Sequence, residues 1–310
     1  MKIYAPEYYK KFKCIADRCQ NSCCIGWDIY IDDETLEKYV SGEDEIIKNS
    51  IEDSEGGARF IMGNDKRCPH LLSSGLCDMI CRKGEGYLCE ICREHPRFYN
   101  TFTDHIEAGL GLCCEEAARI ILSETGNTEL VYVDSDDSAE YASYPEEKEL
   151  LDKRDRLIEI LQIRDLSIED RIEKAVDELD IFFDTDHLYA NSPTRWAVIL
   201  KGLERLDPSW DDYLSDLLQY GNYDPIPSLD IPLEKLLIYF IYRHASGSIG
   251  EIDFSDYCHF AFVSYRIIKA MCNARIEKYG SIDFSVFADI CRRFSAEIEY
   301  SDENMDFIHK

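Results

Sequence analysis

No uninterrupted apolar run in this sequence approaches the roughly 18 residues that a membrane-spanning helix needs, so none is predicted. Bases are scarce: 34 Lys and Arg face 62 Asp and Glu, for a formal net charge of −28. A surface of that sign repels phosphate and argues against a nucleic-acid partner. It suits a cationic partner such as a lysine-bearing protein, although simple solubility accounts for the same excess. The opening MKIYAPEYYKKFKC lacks the continuous apolar core of a secretory leader. A cytoplasmic location is therefore expected, where thiols stay reduced. Familiar catalytic signatures are also missing: there is no Walker loop, no G-x-S-x-G elbow and no H-E-x-x-H pair. Gly84 and Gly86 follow no strand pattern and lack a third glycine, so they read as a turn rather than a nucleotide loop. The C-x3-C-x2-C triad of radical chemistry is absent too, because Gly84 stands where its third cysteine would follow Cys77 and Cys81.

What the chain does have is cysteine. Eleven of its 14 lie between Cys14 and Cys114, and only Cys258, Cys272 and Cys291 come later. They fall into Cys14, Cys19, Cys23 and Cys24, then Cys68, Cys77, Cys81, Cys89 and Cys92, then the pair Cys113 and Cys114. Close spacing lets one short loop offer two thiolates at little closure entropy, and thiolates bind zinc and iron strongly. A lone C-x-x-C such as Cys89–Cys92 also fits a redox dithiol, but no βαβ pattern surrounds it. Metal ligation is the expected role. The thiols suffice for a four-iron cluster with spare ligands, two zinc ions, or one of each. His70 and His95 are candidate mixed ligands or structural neighbours. Arg93 and Arg97 are candidates for steadying a cluster's charge, or ordinary surface arginines. Trp27 reads as core.

The predicted fold class is mostly α: an irregular, cysteine-rich metal-binding N-terminal part packed on an all-α helical C-terminal part. The expected boundaries are 1–125 for the cysteine-rich domain, 126–145 for an acidic linker and 146–310 for the helical domain. A short strand is expected in GWDIYIDDE, a helix from about Thr35, and a strand-like run at Leu130–Val133. Leu150, Leu151, Leu157, Ile158 and Leu161 share one helical face, as do Ile172, Ala175, Val176, Leu179, Phe182 and Phe183. Ser192 and Pro193 mark a helix start, and Gly280 marks a helix end. The last helix should run from Phe284 to Tyr300.

CIADRCQNSCCIGWDIYID, CPHLLSSGLCDM, GYLCEICREHPRF and CCEEAARIIL occur in the order found in the flagellin lysine N-methylase (FliB-like) family, which the chain resembles. LLIYFIYRHA and FAFVSYRIIK resemble that family's helical half. The first block is also similar to the broader zinc- or iron-chelating cysteine-motif proteins. The resemblance implies methyl transfer from S-adenosylmethionine to lysines of flagellin or another lysine-bearing protein, with an iron–sulfur (4Fe-4S) cluster favoured over zinc. It implies Cys14, Cys19, Cys23, Cys24, Cys68, Cys77, Cys89, Cys92 and Cys114 as ligands, with Cys81 and Cys113 as extras. Glu115 stands where the family pattern leads one to expect proline, which puts the local turn in question. No catalytic residue is assigned. The competing readings are a non-enzymatic zinc- or iron-chelating interaction module and a redox iron–sulfur protein.

Overall fold

The computed structural model describes residues 1–136, 147–182, 191–245 and 253–309. The chain divides into two compact units. One comprises Met1–Phe12, Tyr99–Cys113 and Ala117–Lys310; the other comprises Lys13–Phe98 with Cys114–Glu116.

The first unit is mainly helical but is not all-α. It holds a four-stranded sheet of β1 (Lys2–Pro6), β4 (Arg97–Thr101), β5 (His105–Leu110) and β6 (Leu130–Ser135), in the order β4-β5-β1-β6. β1 runs parallel to β5, with Ile3 opposite Ile106, and antiparallel to β6, with Tyr4 opposite Tyr132. The run Leu130–Val133 is thus the start of an edge strand. From residue 147 onward the described residues form helices and turns only: α6 (Glu147–Leu161), α7 (Ile168–Glu178), α8 (Pro193–Lys201), α9 (Trp210–Tyr220), α10 (Asp230–His244), α11 (Phe254–Tyr279), α12 (Phe284–Phe294) and α13 (Asp302–His309).

Helices α10 and α11 form the centre of this unit. Both are apolar around most of their circumference, the pattern of a helix enclosed on all sides. Each fully buried Leu, Ile or Phe there stabilises the fold by roughly 1.5–3 kcal/mol. Ser192 caps α8 by accepting from the Arg195 amide, Pro193 follows at its first position, and Gly280 closes α11 at φ 83°. Leu150, Leu157 and Leu161 are buried on α6, as expected.

Two expectations for the helices change. α7 ends at Glu178 because Asp180 turns left-handed at φ 49°, and Phe182 leaves the apolar face to stand 78% exposed; Phe183 lies outside the described residues. The last helix is α-helical only to Phe294 and then widens into a π turn over Ser295–Glu299, which carries Glu297 and Glu299 inward.

Buried charge is paired across elements. Glu107 on the buried strand β5 receives Arg154 Nη1 at 2.6 Å and Nη2 at 2.8 Å, a two-pronged pair with both side chains 2% exposed. Burial alone would raise the Glu107 pKa, but His105 and Arg154 together hold it below the usual carboxylate value. Among the described residues no helix is long and apolar enough to cross a membrane.

The second unit carries α1 (Asp33–Ser41), α2 (Glu45–Lys48), α3 (Asp78–Lys83), α4 (Glu90–Glu94) and a hairpin of β2 (Ile51–Ser54) and β3 (Gly57–Phe60). The expected strand in GWDIYIDDE is reduced to an isolated bridge between Tyr30 and Arg59. The helix after it starts at Asp33, with the Asp32 carboxylate accepting from the Thr35 amide.

Arg154→Leu leaves Glu107 buried without its main partner and should lower stability by about 3–5 kcal/mol, with most of it recovered in the double variant carrying Glu107→Leu. Because the Glu107 pKa is depressed, its contribution should be full above the unfolded value of about 4.3 and fade as pH falls through the lower folded value. Urea unfolding across pH 3–8 is the measurement; a wild-type-like Arg154→Leu midpoint would contradict it.

Candidate metal centre

The cysteine-rich unit has a small core of Ile29, Ile31, Tyr39, Ile47, Phe60, Leu71 and Met79, completed by two thiols, Cys68 and Cys89. Cys24, Cys77 and Cys92 pack against it, half-buried. All 14 cysteines are free thiols. The nine expected ligands all lie in this unit, in two neighbouring groups joined by the adjacent pair Cys23–Cys24. In the first, Cys14 and Cys114 act electrostatically on both Cys23 and Cys19. In the second, Cys24, Cys77 and Cys89 act on Cys68, and Cys24, Cys68 and Cys89 act on Cys92. Cys81 is exposed on α3, outside both groups, and Cys113 belongs to the helical unit.

Local backbone geometry readies these sulfurs for negative charge. The Ala16 amide donates to Cys14 Sγ at 3.4 Å. Burial pushes Cys68 up to about 12, against the amide of His70, which favours its thiolate. Cys77 precedes α3, and burial raises it while the amides of Met79 and Ile80 oppose. Cys89 precedes α4 in the same way, and its pKa falls because the Cys92 thiol donates to it, with the Cys92 amide adding to the effect. Donors aimed at sulfur by the chain two or three residues ahead are what a thiolate ligand needs.

Two thiols sit as acceptors beside donating neighbours. Cys24 is lowered to about 7, first by a hydrogen bond from Cys23, then by the Ser22 hydroxyl and the Arg67 guanidinium. Cys23 and Cys92, the donors of the two pairs, are raised correspondingly. As they stand, no group of three or more His, Cys, Asp or Glu side chains among the described residues is arranged to hold a metal ion. What fits a metal is the chemistry of the donors: nine thiols in two groups, several facing backbone amides, without disulfides.

Glu115 resolves the turn in question. Its Oε2 accepts from the amides of Gln20 (2.9 Å) and Asn21 (3.1 Å) and from Asn21 Nδ2 (2.9 Å), and it lies 3.7 Å from Cys19 Sγ. A carboxylate at the start of α5 (Glu115–Ser123) thus ties the Cys19 loop to Cys114. The one signal of this contact in the sequence is an acid where proline is expected.

His70 is buried, with Nε2 2.8 Å from Ser50 Oγ, its ring edge-on to Phe60, and Nδ1 buried without a hydrogen-bond partner among the described residues. His95 lies against Trp27, whose indole donates to the Cys23 carbonyl at 2.7 Å. Arg93 pairs with Glu94 at the surface, and Arg97 sits on β4. Gly84 ends α3 at φ 83°, and a single 3-10 turn over Glu85–Tyr87 leads to Cys89, the turn expected there.

Residues 178–310 match the family model described as the FliB lysine N-methylase C-terminal domain. The chain is 27% identical over 131 residues to the Lysine-N-methylase of Salmonella typhimurium, covering 39% of this chain and 33% of that relative. The same identity and coverage hold for the Lysine-N-methylase of Salmonella choleraesuis. The Flagellar biosynthetic protein FliU of Salmonella muenchen is also 27% identical over 131 residues, covering 39% of this chain and 78% of that relative. The match thus spans about a third of the two curated lysine-N-methylases. No solved structure matches.

Glu115→Ala should free the Cys19 loop, since hydrogen bonds to a charged group contribute about 1.5–3 kcal/mol each. Burial, with Glu115 adding to it, pushes the Cys19 thiol up to about 11, so its alkylation near neutral pH should accelerate while that of buried Cys89 does not. Peptide-resolved iodoacetamide labelling reads this directly; unchanged Cys19 kinetics would contradict it.

Proposed function

We propose, from the premise that this chain is FliB-like, that it is a protein-lysine N-methyltransferase moving methyl groups from S-adenosylmethionine to lysines of flagellin. The observation that carries this reading is the match of residues 178–310 to the FliB C-terminal domain. In the same reading Cys14, Cys19, Cys23, Cys24, Cys68, Cys77, Cys89, Cys92 and Cys114 hold an iron–sulfur cluster in preference to zinc. The amide donors directed at Cys14, Cys68, Cys77 and Cys89 support thiolate ligation. A thiolate-held cluster with one open iron would supply a Lewis-acidic position for the amino and carboxylate groups of S-adenosylmethionine.

The protein's own task in such a reaction is to capture a cationic side chain and remove its proton. A lysine ammonium, with a pKa of about 10.4, has no lone pair to offer a sulfonium methyl until it is deprotonated. The net charge of −28 favours encounter with a lysine-bearing surface. Desolvation on binding then lowers the amine's pKa. The alternative, a zinc-chelating interaction module without catalysis, is favoured by the same amide-to-sulfur geometry, which suits zinc equally.

Anaerobically purified protein should be brown, with a broad visible absorption band and bound iron, and should add methyl groups to flagellin lysines when supplied with S-adenosylmethionine. Mass spectrometry of the flagellin checks the transfer. A colourless, zinc-loaded protein that leaves flagellin unmodified would favour the interaction module instead. Replacing Cys68 and Cys89 together with serine should abolish metal retention.

A further inference from the structure

Helix α10 ends in Arg243 and His244, and both reach one buried carboxylate. Glu299, with its side chain fully buried, receives Arg243 Nε at 2.7 Å, His244 Nε2 at 2.8 Å and the Tyr239 hydroxyl at 2.8 Å, all on Oε1; the Ser295 hydroxyl donates to Oε2. Burial would raise its pKa, but Arg243 and His244 hold it at about 2, so it is a carboxylate at neutral pH. The π turn of Ser295–Glu299 presents Glu299 inward, and such turns recur at functional sites.

The surroundings are fitted to this cluster. Tyr239 also accepts from the Leu112 amide at 3.0 Å, and a side chain at Gly111 would collide with the Tyr300 hydroxyl, which the neighbouring glycine admits. Arg243 lies over the Tyr300 ring at 4.8 Å. The cluster is not sealed: Tyr300 is 44% exposed, and the side chains of Arg243 and His244 are 15% and 11% exposed. The His244 ring is set by Phe240, 6.4 Å away, and Phe260, edge-on at 5.3 Å. Among the described residues, the charged and titratable groups around it are Glu299, which holds its Nε2, Arg243 and Tyr239 on the same carboxylate oxygen, and Tyr300 and Cys113, which act on Arg243.

Since Glu299 is anionic, Nε2 of His244 carries the hydrogen directed at it, which leaves the lone pair on Nδ1. Among the described residues nothing donates to Nδ1. A carboxylate-held imidazole whose second nitrogen keeps its lone pair is the arrangement of a general base. We propose that His244, oriented by Glu299, takes the proton from the lysine ammonium in the methyl transfer, an assignment that rests on the lysine-methylation reading. The ammonium proton passes to Nδ1. The freed lone pair on the lysine nitrogen bonds to the methyl carbon of the sulfonium, and the carbon–sulfur pair leaves with sulfur as a neutral thioether. The imidazolium then returns its proton to water. A lysine ammonium, with a pKa of about 10.4, gives up its proton to an imidazole only uphill, and the Arg243 guanidinium beside the site acts in the helpful direction by disfavouring the ammonium.

The test uses metal-loaded full-length protein, flagellin and S-adenosylmethionine. His244→Gln should lower kcat about 10²–10⁴-fold with KM within about threefold, and should remove the acidic limb of the kcat–pH profile, with an unchanged circular dichroism spectrum. Glu299→Gln should move that limb to lower pH, because a carboxylate that favours the imidazolium is gone; a merely structural Glu299 would lower kcat without moving it. A His244→Gln enzyme with wild-type kcat and an intact limb overturns the assignment. If His244→Gln does not fold, an unmoved limb in Glu299→Gln does so. A wild-type protein that transfers no methyl group to lysine overturns the methylation reading and this assignment with it, whereas an active wild type with an unaffected His244→Gln overturns this assignment alone.

Discussion

A carboxylate taken out of water must meet cations or several hydrogen-bond donors, and that constraint organises the helical unit. Bases are outnumbered 34 to 62, yet several of them are committed to buried acids. Glu107 takes Arg154; Glu234 takes Arg164, Arg171 and Lys235; Glu299 takes Arg243 and His244. Apart from Lys235, which is next to Glu234 on the same helix, each pairing joins elements distant in sequence. Glu107 ties strand β5 to helix α6, Glu234 ties α10 to α7, and Glu299 ties the π turn to the end of α10. Apolar contact alone would let α10 rotate or slide, since it is hydrophobic nearly all round. The ion pairs specify its register, as the Tyr242 hydroxyl does by donating to the Ala108 carbonyl at 2.9 Å.

The cysteine-rich unit solves a different problem. Its apolar core is small and two of its fully buried members are thiols, so the loops between its short helices need local anchors. They find them in backbone amides turned toward sulfur, in Asp32 capping α1 while its second oxygen accepts from the Glu90 amide at 2.8 Å, and in Glu115 gathering the Cys19 loop. Thiols grouped this way depress or raise one another's acidity, as Cys23 with Cys24 and Cys89 with Cys92 demonstrate. A bound cation would relieve that mutual repulsion, which is the physical link between the fold of this unit and the function proposed for it.

Much was legible along the chain because it depends on near neighbours. Helical periodicity predicted α6, the Ser192–Pro193 start of α8 and the Gly280 end of α11, each decided within a few residues by capping and side-chain spacing. Cysteine spacing singled out the thiols now found in two groups, and turn chemistry marked Gly84. The miss at Phe182 came from one left-handed residue, Asp180, that periodicity does not register.

What only tertiary structure decided was the pairing of distant residues. The sheet joins Lys2–Pro6 to strands about a hundred residues away, and short strands carry little sign of their partners. The division of the thiols between two groups follows from how loops fold back, not from the gaps between cysteines. Glu115 looked like a departure from an expected proline until the Cys19 loop was seen to hang from it. Nothing in the sequence around Arg243 and His244 points to Glu299, which the π turn brings to them. Local propensity and spacing are properties of the sequence itself; which donor meets which buried acid is settled only by packing, because desolvation makes unpaired charge too costly to leave elsewhere.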